Sequence, residues 1–401
     1  VTASGPDRVL VQCFPIPANG GEMKIRIGVT SPLRNGTMLF PRMVERNFSI
    51  PATLEHAVWL QSEDAFGVGP NASVSDGGGF SLQYNLPATD RFRPATLDRP
   101  SFAPEVFCRD PFAADEEAYL TMTRGGRDRA PLESCVVVID GSRALNSERE
   151  ELVAILEDFA ASSNLSVIFA DDTARLLPAA KIGDVRFSGG RDNVPALIEA
   201  VRQIRQSKTG AVVWVHGPQP MASSSVDMLS QVYDRASRVV PLYSIPVGKG
   251  PNLILKELFK YRAVRSAPTG DDLESSLRPL LQQLLAGGRE EQFIWKRSAT
   301  PPEGIPETSD QLARWWAADQ IREASREQTP DPEKVAFAAK YQIVTAFSGA
   351  VVLETAEQYA RHGLKPVDAK TTPSIPAVPE PSVPLLVLLS ALLGLWHRKR
   401  E

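Results

Sequence analysis

The sequence predicts an α/β fold: a parallel-sheet, Rossmann-like unit over residues 131–288, with an antiparallel β region before it. A small α+β region and a C-terminal membrane helix follow. Three observations predict this. Cys135-Val-Val-Val-Ile139 is a continuous apolar run without alternation, the pattern of a strand buried on both faces. Comparable runs recur at 165–170, 211–215 and 239–245, separated by stretches of helical pattern. Upstream of residue 130 the runs are short, and Gly and Pro clusters divide them, as in antiparallel β structure.

Each element has its own warrant. In residues 1–130, Arg8-Val-Leu-Val-Gln-Cys-Phe14 and Glu22-Met-Lys-Ile-Arg-Ile-Gly-Val29 read as strands, and the second alternates. Pro17-Ala-Asn-Gly-Gly21 between them is turn chemistry. Further short strands are expected near 38–40, 58–61, 80–84 and 105–108. Arg124, Arg127 and Arg129, among glycines and acids, read as a solvated linker. In residues 131–288, Ser147 is the expected cap of a helix reaching about residue 161. Glu148, Glu150 and Glu151 load its first turn. Helices are expected over 193–206, 226–236 and 271–286. Residues 289–362 begin as a polar connector rich in Pro and Glu, then a helix over 309–325. That helix carries Trp315 and Trp316, read as one core and one rim aromatic. A second helix over 331–340 has Asp331 as cap and Pro332 in first position. Residues 342–354 are strand-like, and 355–362 form a last turn. Residues 363–381, mostly Pro, Thr, Ala and Val, make an extended stalk.

Composition narrows the function. Of 401 residues, 43% are hydrophobic and 23% charged, enough apolar matter for more than one core. A net charge of −4 gives no basic footprint, which argues against nucleic acid as a partner. The three cysteines, Cys13, Cys108 and Cys135, lack metal spacing. Three buried thiols is the simpler reading, and a Cys13–Cys108 pair in an oxidising periplasm the alternative. No Gly-x-Ser-x-Gly elbow, phosphate loop or His-Glu-x-x-His occurs, and the four histidines are scattered. Gly77-Gly78-Gly79 has no helix after it and reads as a turn.

The C-terminal residues 382–401 are the most distinctive. An uncharged, Leu-rich run over 383–396 is 14 residues long and ends in His397-Arg-Lys-Arg-Glu401. A full span takes about 20 apolar residues, so this one spans a thin bilayer or relies on snorkelling basic ends. The basic cluster belongs on the cytoplasmic side, which places the preceding chain outside. The run follows Pro379-Glu380-Pro381. Motif, apolar stretch and basic end together resemble the PEP-CTERM sorting signal of Gram-negative bacteria. The resemblance implies processing by an exosortase. An external protein needs an export signal, and none follows Val1, so the sequence reads as a fragment or a processed product.

Candidate chemistry lies in loops at the carboxyl ends of the parallel strands, where such folds gather ligands. The first reads Asp140-Gly-Ser-Arg-Ala144. It resembles Asp-x-Ser-x-Ser, the first loop of the metal-ion-dependent adhesion site in von Willebrand factor A domains. The family site holds Mg²⁺ through oxygen ligands. Asp140 and Ser142 match, whereas Ala144 has no oxygen to offer. The second loop, Ser188-Gly-Gly-Arg-Asp192, resembles the family's Gly-Gly-Thr with Arg191 in place of Thr and Asp192 one position late. In the third, His216 stands where the family has an acid. Two of five expected oxygen ligands remain in register. The metal positions are therefore Asp140, Ser142 and Asp192 in a degenerate site where Mg²⁺ is possible but not expected. A nitrogen-bearing Zn²⁺ or Mn²⁺ site from Asp140, Asp192 and His216 is the chemical alternative. The reading preferred here is that Asp140 caps loop N–H groups and His216 is a satisfied loop histidine.

The flanks extend the resemblance. Residues 8–33 look like part of a VIT domain, the β domain preceding the A domain in inter-alpha-trypsin inhibitor heavy chains. Residues 311–320 and 341–354 resemble the helix and the terminal strand that follow it there, with Ala346 where Pro is typical. The arrangement implies a non-enzymatic envelope protein whose A domain serves adhesion or binds an unidentified protein ligand. A periplasmic scaffold of exosortase or exopolysaccharide-export machinery is the runner-up, and a metal-dependent enzyme the third reading.

Overall fold

The computed structural model describes residues 1–5, 8–12, 27–31, 33, 36–41, 55–87, 95–98, 103–113, 117–171, 173–189, 191–221, 224–236, 238–248, 250–259, 263–265, 267, 272–324, 331–351 and 356–361. From Glu105 onward the strands are β1 (Glu105–Arg109), β2 (Tyr119–Arg129), β3 (Ser134–Asp140), β4 (Leu165–Ala170) and β5 (Ala174–Leu177). Then come β6 (Gly210–His216), β7 (Leu242–Pro246), β8 (Val264–Arg265) and β9 (Gly288–Ser298). The helices are α1 (Arg149–Asp158), α2 (Val194–Ile204), α3 (Val226–Asp234), α4 (Leu253–Phe259) and α5 (Leu273–Ala286). They are followed by α6 (Gln311–Ala324), α7 (Pro332–Lys340) and α8 (Ala356–Arg361).

The six-stranded sheet runs β5-β4-β3-β6-β7-β8, parallel except for the antiparallel edge strand β5. The unbroken apolar run of β3 follows from this position. Cys135, Val137 and Ile139 point into a core under α1 and α5. Val136 and Val138 point into a second core with α2, α3 and α4. A strand covered on both faces has no polar side to show. Sequence order put Ser147 as a helix cap; it lies instead inside a 3-10 turn over Arg143–Glu148, and α1 starts at Arg149. Strands β5 and β8, helix α4 and a 3-10 turn at Ala179–Asp184 are too short to carry a period and were not expected.

The parallel unit is inserted into a second sheet, β1-β2-β9. Strand β2 pairs with β9 along its whole length, from Tyr119↔Ser298 to Arg129↔Gly288. Two expectations are thereby corrected. Arg124, Arg127 and Arg129 lie on a strand, not in a linker, with Arg124 and Arg129 facing Glu291 and Glu290 at 3.7 Å. The segment after Gly288 is the partner strand, not a connector. Gly287 makes the return from α5 possible. Its φ is +72°, and a Cβ there would meet Arg129 O at 2.4 Å.

Helices α6 and α7 cover this sheet over a third core of Cys108, Phe112, Leu120, Met122, Leu312, Ala313, Ala317 and Tyr341. Both adjacent tryptophans are half-buried and used. Trp315 packs edge-on against Phe293 and Trp295 of β9, and Trp316 against Phe337 and Tyr341. Asp331 caps α7 by accepting from Glu333 N at 2.9 Å, with Pro332 in first position. The strand expected over 342–354 does not form among its described residues. Thr345 and Ser348 bond each other through backbone and side chains instead, closing a tight turn.

The N-terminal β region comprises a hairpin (Thr2–Gly5 with Arg8–Leu10), a four-stranded sheet of very short strands, and a three-stranded sheet centred on Gly79–Pro87. Of the strand expected over 22–29, residues 27–29 belong to no strand and the rest lie outside the described residues. So do Cys13, the stalk, Pro379, Glu380, Pro381 and the anchor. Among the described residues, no helix is long and apolar enough to cross a membrane.

Candidate functional site

Strand β3 delivers Asp140 to the carboxyl end of the sheet, where its side chain is fully buried. Three loops converge on it. Ser142 donates its N–H to Oδ1 at 3.0 Å and its hydroxyl to Oδ2 at 2.8 Å. Asn193 Nδ2, from the start of α2, donates to Oδ1 at 3.1 Å. Gly217 N and Gln219 Nε2, from the loop after β6, donate to Oδ2 at 3.1 and 3.0 Å. A carboxylate has about four lone-pair directions, so five donors saturate it.

The shell continues outward. Asn193 accepts from Trp214 Nε1 at 2.9 Å, and its amide also donates to Arg191 O at 3.1 Å. The Trp214 ring lies 3.9 Å from that of His216. His216 is buried, with Nδ1 2.8 Å from Gly217 O and Nε2 2.9 Å from Ser244 Oγ. An N–H on Nδ1 donates to that carbonyl, and Nε2 then accepts the serine proton. Burial pushes the imidazole pKa down to about 3; the Gly217 carbonyl opposes this and Arg8 adds to it. A small cleft lined by Arg8, His216, Pro218, Pro246 and Asn252 opens beside the ring.

The other residues singled out from sequence go elsewhere. Asp192 accepts from Val194 N at 3.0 Å and Ser224 N at 2.6 Å, so it caps α2 and ties down the next loop. Arg191 turns away from Asp140 to pair with Asp171 at 3.1 Å and donate to Ser188 Oγ at 3.0 Å. Asp171, one residue past β4, supplies its anion. Asp140, Asp192 and His216 do not form one ligand set. Among the described residues no three His, Cys, Asp or Glu side chains gather closely enough to hold a metal ion.

The donor set around Asp140 does not fit an oxygen-ligated cation. Amide and backbone hydrogens aim at both carboxylate oxygens, where a cation would have to sit. Ala144 offers a methyl group, and the loop after β6 lies on top of it: a Cβ at Gly217 would meet Ala144 Cβ at 2.6 Å. The arrangement instead locks three loops onto one buried anion. Asn193 and Gln219 were missed in sequence because lone amides in loops carry no pattern; only the fold brings them to Asp140.

No family model and no curated protein matches the chain. Among solved structures it is similar to the manganese-loaded TRAP protein of Plasmodium vivax, at 12% identity and a TM-score of 0.29, over 45% of this chain and 84% of that one. It is similar to a von Willebrand factor type A structure from Catenulispora acidiphila at 13% identity and a TM-score of 0.30, over 43% of this chain and 47% of that one. The ArnB paralog VWA2 of Sulfolobus acidocaldarius matches at 10% identity and a TM-score of 0.30, over 61% of this chain and 91% of that one. The α/β architecture stands on the strand order and register given above.

Proposed function

We propose that this chain is a non-enzymatic, envelope-anchored interaction protein of a Gram-negative bacterium. In this reading its parallel-sheet unit is an A-type domain that presents loops to a protein ligand, and an exosortase processes its tail at Pro379-Glu380-Pro381. The observation that carries the first part is the saturation of Asp140. The carboxyl end of the sheet, where an open metal or catalytic group would be expected, is spent on holding loops in place. Such a group is a scaffold for a recognition surface and offers no free nucleophile, base or open coordination position. What supports the second part is the ordered run of motif, apolar stretch and basic end over 379–401.

Two measurements test the localisation. Protease added to spheroplasts of the native host digests the folded residues from outside, and protection of the parallel-sheet unit in intact spheroplasts refutes the topology. Replacing Pro379, Glu380 and Pro381 with alanine leaves the protein membrane-bound and unprocessed. An unchanged mature C-terminus by mass spectrometry shows that the motif is not read.

A further inference from the structure

Strand β9 is a long open edge. One side of Gly288–Ser298 is paired throughout with β2, and no described residue pairs with the other. The opposite edge of the same sheet is closed: Phe107 N donates to Pro306 O at 3.1 Å and Thr308 N to Phe107 O at 2.7 Å. An unpaired edge of this length is a template for another strand unless its side chains forbid it. We infer that the occupant is a second copy of this chain, joined antiparallel through β9 with Ile294 on the two-fold axis.

Symmetry and charge select that register. A two-fold axis relating antiparallel edge strands stands perpendicular to the sheet, so each residue keeps its face. Directly opposed residues share a face, and therefore the two members of a pair have the same parity in sequence. Centring the pair on Phe293 sets Arg289 against Arg297. Centring it on Gln292 sets Glu290 against Ile294 and Glu291 against Phe293. Centring it on Trp295 sets Phe293 against Arg297. Only the register centred on Ile294 opposes Glu291, which also faces Arg124, to Arg297, which also faces Asp110, twice with no like-charged pair. It also sets Gln292 against Lys296 and Phe293 against Trp295.

Ile294 itself fits this role. It is 54% exposed, on the face away from Trp315, beside Gly125 of β2. Charged residues flank it on both sides at Glu290, Glu291, Lys296 and Arg297. Charges alone would blunt an edge. Here they favour one symmetric partner, since the shifted registers set either like charges together or charges against apolar side chains, with an isoleucine at the only position that meets its own copy. A single strand pair buries less than the roughly 1,200 Å² of a stable interface, so the dimer is transient, with a Kd on the order of 10 µM.

The test is sedimentation velocity of the full chain in detergent micelles, from about 1 to about 100 µM. The native chain is expected to pass from monomer to dimer over this range. Ile294→Lys sets two ammonium groups on the axis and is expected to weaken association at least tenfold. Circular dichroism and tryptophan fluorescence stay unchanged, because the position is exposed. Ile294→Cys is expected to oxidise to a covalent dimer, whereas Gln292→Cys, displaced from its own copy in this register, does not. A chain monomeric at the highest concentration overturns the proposal and leaves the edge to a strand of another protein. A dimer that survives Ile294→Lys overturns it in favour of the apolar tail, and cross-linking at 292 but not 294 overturns the register.

Discussion

Replacing Asp140 with alanine tests the loop-locking role directly, and its cost can be worked from the hydrogen bonds. Five donors lose their acceptor. Asn193 Nδ2 keeps Arg191 O, and the Ser142 hydroxyl can turn. That leaves Ser142 N, Gly217 N and Gln219 Nε2 stranded in a buried place. Each unsatisfied buried donor costs about 1–3 kcal/mol, and water entering the vacated volume recovers part of it. The net is about 3–5 kcal/mol, in the range for breaking a buried charged network. The assay is urea unfolding at pH 7 followed by tryptophan fluorescence. Trp214 reports on the site itself, because its indole N–H is one bond from Asn193. A loss below about 1 kcal/mol, no more than an ordinary surface substitution gives, would refute the claim that this carboxylate holds the loops.

Two further outcomes follow from burial. The His216 pKa, held at about 3 against an ordinary 6.5, means the unfolded chain takes up a proton that the native state refuses. Stability from this group is full above about pH 6.5 and is lost as pH falls toward 3, with a ceiling on the order of 4–5 kcal/mol. The urea midpoint of the native protein therefore drops between pH 7 and pH 4 more than that of His216→Gln, and equal drops contradict the assignment. Cys108 and Cys135 are buried free thiols whose pKa values burial raises to about 12, with Asp110 adding to the rise at Cys108. At pH 8 both resist alkylation in the native protein and react after denaturation, read peptide by peptide in a mass spectrometer. Rapid labelling of either in the native state would show that its core opens.

The parallel sheet was legible because β3 must be apolar on both faces, which leaves Cys135-Val-Val-Val-Ile139 with no alternation. Asp331 and Pro332 were legible as a helix start because cap chemistry is local. Strand β9 was not. Arg289-Glu-Glu-Gln292 faces solvent on an open edge, and only Phe293 and Trp295 point inward, too few to show a period of two. The pairing that makes it a strand lies across an insertion of more than 150 residues. At the site, Asp140 and Ser142 could be named because strand end and spacing fix them. The Arg191–Asp171 pair was not legible because the two come from different loops, and Asp192 was misread because capping and coordination look alike in one dimension.

Protein donors, not a cation, satisfy Asp140. The decisive check is thermal melting of the full chain in EDTA, in millimolar Mg²⁺ or Mn²⁺ and in micromolar Zn²⁺. A site filled 100-fold above its Kd adds roughly 2.7 kcal/mol to the native state, a rise of several degrees. The same melting temperature is expected in all four conditions. A rise in one metal that disappears in Asp140→Ala would contradict it and return the carboxylate to a ligand's role.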